Sequence, residues 1–160
     1  MLEFHYNSET QKHFQRHCHG SQKAGGTFLP FISHISDLIR IAEGLTPKLE
    51  KEQGKMRKAF VYEYHEAIGN MGISPRTLEM ETQVQFEYRD RLRIAYLPVE
   101  ALPTTNEFTI VAQWSKSKWN IVTAYPGGAS YPFPHAKQSA EERKQSTQFW
   151  ERFILLKLKN

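Results

Sequence analysis

The sequence predicts an α+β fold, with N-terminal helices and a C-terminal helix packed on an antiparallel sheet of four or more strands. Three observations carry this. From Glu107 to Tyr125, apolar and polar residues alternate with period two on either side of a short polar turn, Ser115-Lys116-Ser117-Lys118. From Leu78 to Tyr88 the same alternation runs longer still: Leu78, Met80, Thr82, Val84, Phe86 and Tyr88 against intervening charges and amides. From Ser33 to Gly44 the period changes to that of a helix, with Ile35, Leu38, Ile39 and Ala42 on one side.

Taken in order, residues 1–31 are polar, rich in histidine and partly irregular, with one short helix over Glu9–His17. Residues 33–65 read as helical. Ser33 caps the first helix, and Thr46-Pro47 starts a second from Lys48 to about Tyr64, although Phe60–His65 also fits a strand. Gly69-Asn70-Met71-Gly72 ends that region. The sheet occupies 78–125. In its second strand, Arg91–Leu97, the residues Leu92, Ile94 and Tyr96 point to the core and Arg91 and Arg93 away from it. In its last strand Trp119, Ile121, Thr123 and Tyr125 share a face, until Pro126-Gly127-Gly128 stops the ladder. Ser139-Ala140-Glu141-Glu142 reads as a capping box opening a helix over 139–157. Phe149, Trp150, Phe153, Ile154 and Leu156 form the apolar face of that helix, so Trp150 and Phe153 are predicted to be buried. Trp114, Trp119 and Trp150 read as core residues.

At 160 residues the chain is one domain, 1–160, large enough for a core. No apolar run is long enough to span a bilayer and the N-terminus lacks a signal-peptide core, so no membrane partner is expected. A single cysteine, Cys18, points to a reducing compartment and a cytoplasmic location. The net charge of +4 favours an acidic partner.

No phosphate-binding loop, dinucleotide fingerprint, nucleophile elbow or zinc-protease motif is present. His13 and His17, four apart, fit one helix face, but Phe14-Gln15-Arg16 lies between them. An arginine there opposes a cation and no third ligand is near, so neither metal nor other cofactor is expected. The chemistry-bearing residues are instead His13, His17 and His65, the arginines at 89, 91 and 93, and the hydroxyls of Thr123 and Tyr125. They are sufficient in type for metal-independent RNA cleavage. Histidine moves protons near neutrality, arginine holds phosphate in a planar fork, and hydroxyls donate to phosphate oxygens.

The layout resembles the barnase–EndoU–colicin–RelE superfamily of small ribonucleases: histidine-bearing N-terminal helices, a consecutive antiparallel sheet, and Trp119-Asn120-Ile121-Val122-Thr123-Ala124-Tyr125-Pro126 closing a late strand. That resemblance implies an endoribonuclease of bacterial or phage toxin type, with RNA (tRNA among the candidates) as substrate and an immunity or antitoxin protein as partner. It implies Thr123 and Tyr125 as active-face hydroxyls, Arg91 or Arg93 as the phosphate-binding cation, and His65, or else His17, as the proton-transfer group. The alternative is a non-catalytic protein- or RNA-binding module on the same scaffold, which has no need to gather these groups in one pocket. A metal-dependent enzyme built on His13 and His17 is the third.

Overall fold

The computed structural model describes residues 2–19, 26–88 and 92–159. In chain order its elements are β1 (Phe4–His5), α1 (Ser8–Phe14), α2 (Ile35–Glu43), β2 (Leu49–Glu52), β3 (Arg57–Glu63), β4 (Gly69–Asn70), β5 (Ile73–Pro75), α3 (Leu78–Glu81), β6 (Val84–Tyr88), β7 (Leu92–Leu97), β8 (Thr104–Thr105), β9 (Glu107–Ser115), β10 (Lys118–Pro126), α4 (Ala140–Trp150) and β11 (Phe153–Leu158). The fold class is α+β. Its sheets are mixed: five strands in the order β1-β10-β9-β3-β2, four in the order β5-β11-β7-β6, and the small pair β4-β8.

The β9–β10 hairpin lies at the centre of the five-stranded sheet, with β9 buried on both faces from Phe108 to Ala112. On one face Phe60, Tyr62, Phe108 and Ile110 pack under α1 and α2 with Phe14, Phe28, Ile35 and Leu38, all at most 1% exposed. Helix α2 begins one residue later than Ser33 suggests. His34 is the cap, its ring accepting the Ser36 N–H, while Asp37 accepts the backbone N–H groups of Ser33 and His34 at 3.1 and 3.0 Å.

The predicted helix over Lys48–Tyr64 is a hairpin, β2 on β3. Two facts outweigh its charged, helix-like first half. Gly54 has φ +122° and Met56 φ 58°, which break a helix and make a turn. Ala59-Phe60-Val61-Tyr62 is buried on both faces, as a strand flanked by other strands must be. The predicted strand from Leu78 also differs. Thr77 accepts the Met80 N–H and caps the short helix α3, leaving Leu78 91% exposed; the strand starts only at Val84. Here alternation in the sequence reflects a solvated turn of helix followed by a strand.

The C-terminal helix stops at Trp150. Phe153–Leu158 is a strand, inserted parallel to β7 and antiparallel to β5, with Ile154 and Leu156 fully buried in a second core beside Ala95, Leu97 and Leu102. Six consecutive residues that include Phe, Ile and three Leu serve either element by composition, and the open sheet positions between β5 and β7 decide it.

Candidate functional site

Strand β10 carries the largest revision. Its register shifts between Ile121 and Thr123, so Val122 is an extra residue and the side-chain parity reverses there. Ile121 and Ala124 therefore share the first core, while Thr123 and Tyr125 turn to the opposite face with Val111 and Thr109. The pair stays together, as predicted, but not on the face of Trp119 and Ile121.

That opposite face is covered by the chain leaving β10. The Thr109 hydroxyl donates to the Gly127 carbonyl at 2.8 Å, and the Tyr125 hydroxyl accepts the Ser130 N–H at 2.9 Å. Burial of the phenol pushes its pKa above the ordinary tyrosine value, against the smaller opposing effect of its Ser130 hydrogen bonds. His17 lies beside this tyrosine, ring centroids 6.2 Å apart, with Nδ1 3.0 Å from the Gly26 carbonyl. His17 and Tyr125 line a small cleft closed by Trp150, Leu155 and Ile73, a largely apolar setting with no arginine or lysine among the described residues.

The other predicted residues do not join them. His65 follows β3 on the surface, its ring 4.1 Å from that of Tyr64 and its Nε2 4.0 Å from Glu66. Arg93 belongs to the four-stranded sheet, with Nε 3.7 Å from Glu81, the carboxylate that Arg76 also holds. Arg91, like Arg89, lies outside the described residues. Among the described residues no three histidine, cysteine or acidic side chains are grouped as metal ligands, and no helix is long and apolar enough to cross a membrane.

A fuller chemical set lies in a different cleft, of about 150 Å³, where the turn after β2 and the start of β3 face α4 and the loop before it. Arg57, His135, Lys137 and Glu142 line it, with Tyr131 on its wall. Arg57 reaches this side because it alternates with Lys58, and its Nε donates to Gln113 Oε1 at 3.2 Å. The loop is held in place by Gln138. Its Oε1 accepts the His135 N–H and its Nε2 donates to the buried Ser146 hydroxyl, both at 3.0 Å. The Lys137 N–H donates to His135 Nδ1 at 3.2 Å, so the neutral ring carries its proton on Nε2.

Glu142 has been released from its expected task. Ser139 Oγ accepts the Glu142 N–H, half of the capping box, but the carboxylate makes no return bond. It lies instead over the β2–β3 turn, where a Cβ on Gly54 would stand 3.5 Å from Oε1. Arg57, Lys137 and Glu142 form no ion pair among the described residues. The cleft thus combines a carboxylate, a guanidinium held by Gln113, an exposed lysine and a histidine.

Sequence reading missed this set for identifiable reasons. Arg57 lay within a presumed helix, His135 and Lys137 within a loop, and Glu142 had a structural explanation. The available signal was the histidine of Pro134-His135 placed just before a helix cap whose N3 residue is acidic. In comparisons with known proteins, no family model matches the chain, and no curated protein matches it either.

Proposed function

We propose that the protein is a metal-independent endoribonuclease of the toxin type, with its reaction centre in the Arg57–His135–Lys137–Glu142 cleft. The observation that carries this reading is the presence, in one phosphate-sized cleft, of a carboxylate and a histidine beside two cations that form no ion pair among the described residues. Glu142 takes the proton of a ribose 2′-OH, and the resulting oxygen attacks the adjacent phosphorus. Arg57 and Lys137 hold the non-bridging oxygens as negative charge builds on them. The bond to the 5′-oxygen breaks, and His135, charged once Nδ1 takes up a proton and gives up the Lys137 N–H, gives that oxygen its Nε2 proton. The products are a 2′,3′-cyclic phosphate and a free 5′-OH. An immunity or antitoxin protein belongs to the same reading and would act by covering the cleft.

The test is cleavage of tRNA, rRNA and mRNA in the presence of a chelator. Glu142→Gln, His135→Gln and Arg57→Gln should each cut the rate by about 10²–10⁴, while His17→Ala and His65→Ala keep it near wild type. No cleavage of any RNA, or equal cleavage by all variants, ends the assignment.

A second reading, a non-catalytic RNA-binding module, is favoured by one observation: His65, Arg93 and Tyr125, predicted to converge, lie apart. Binding of RNA without cleavage in the same assay would select it.

A further inference from the structure

The tip of the β9–β10 hairpin extends beyond the helices that cover the first core. There the core face continues into solvent as a groove of about 380 Å³ lined by Trp114, Trp119, Met56, Lys58 and Glu52. The indole rings of Trp114 and Trp119 lie 5.2 Å apart at 60° to one another. Trp119 is backed edge-on by Phe60 at 5.1 Å, whereas Trp114, expected in the core, is 37% exposed.

The rim of this groove is basic. Glu52 and Glu50 are both engaged by Lys58, at 3.6 and 3.7 Å. Lys55, beside Met56, and Lys116, at the hairpin tip, are exposed next to it and form no ion pair among the described residues, whereas Lys118 alternates with Trp119 and belongs to the other face of the hairpin. The rim is also held in a costly conformation. Met56, Lys116 and Ser117 have φ of 58°, 53° and 60°, and they are the non-glycine residues with positive φ among those described. The surrounding bonds hold them there: the Trp114 N–H donates to the Met56 carbonyl at 2.7 Å, and Asn120 Nδ2 donates to the Ser115 carbonyl at 3.2 Å.

We infer that this groove binds single-stranded nucleic acid, a base stacking on Trp114 while phosphates follow Lys55 and Lys116. An exposed indole offers a face to any unpaired base, and a duplex has no such base to give. The groove also adjoins the cleft. Gln53 and Arg57 face the cleft while Met56 and Lys58 face the groove, so a strand crossing the β2–β3 turn passes from one to the other. Taking RNA as the nucleic acid rests on the cleavage reading; the docking site itself does not.

The experiment is titration with a short 2′-O-methyl oligonucleotide, which binds but has no 2′-OH to react, across a range of salt. Trp114→Ala should weaken binding by about tenfold or more, with Trp114→Phe retaining most of it. The double variant Lys55→Glu, Lys116→Glu, at exposed positions, should lower the slope of log affinity against log salt by about 1.4. Wild type that fails to bind single strands at low salt, or variants that bind like wild type, overturns the proposal. Trp114-dependent binding by a protein that cleaves no RNA leaves the groove standing and removes the cleavage reading. Cleavage and binding untouched by Trp114→Ala do the reverse.

Discussion

Truncating Trp150 to alanine tests how the end of α4 and the cleft wall are held together. Trp150 is the last residue of α4 and 6% exposed, in contact with Phe149 edge-on at 5.1 Å. Its Nε1–H donates to the Tyr131 carbonyl at 2.9 Å and reaches that of Pro132 at 3.3 Å. Removing a buried indole costs about 3–5 kcal/mol through lost burial and the void left behind. For a chain of this size that lowers Tm by about 6–20 °C. Trp150→Phe separates the two contributions: it keeps most of the apolar contact and loses the N–H, for about 1–2 kcal/mol. The assay is urea denaturation followed by circular dichroism, comparing midpoints at constant slope. An alanine variant within about 1 kcal/mol of wild type would refute the reasoning, because a residue packed as described cannot be removed so cheaply. Since Tyr131 lines the cleft and its carbonyl is a Trp150 partner, the alanine variant should also impair cleavage more than its loss of folded protein explains.

Tyr62 and Tyr125 both have phenol pKa values raised by burial, Tyr62 with a further contribution from Glu50. The folded state keeps these protons where the unfolded chain releases them, above about pH 10, so their contribution is intact below that pH and falls as pH rises further. Denaturation midpoints should drop on the alkaline side, and less steeply in Tyr125→Phe; a midpoint independent of pH there contradicts the burial. Asp37→Ala removes the acceptor of the Ser33 and His34 N–H groups and should cost about 0.5–2 kcal/mol, read from thermal melts. An unchanged melt would mean that the His34 ring alone caps α2.

Local pattern was enough for the elements whose signals are local. The β9–β10 hairpin, α2 and the Ser139 cap of α4 follow from periodicity and capping chemistry, which act over a few residues. The burial of Trp150 followed as well, although its helix ends at that residue. What the sequence by itself determined was therefore the fold class, the central hairpin, and the pairing of Thr123 with Tyr125 on one face, since two residues apart on a strand share a side.

Tertiary structure decided the rest. One extra residue at Val122 reversed the parity of β10 and carried Thr123 and Tyr125 away from Trp119, a change invisible to any alternation count. Lys48–Tyr64 and Phe153–Leu158 are strands because sheet positions beside β9 and β7 were there to be filled; a strand's stability comes from neighbours distant in the chain. The cleft shows this most plainly. Arg57 meets His135, Lys137 and Glu142 across about eighty residues of chain, and nothing local to Arg57 marks it as their neighbour.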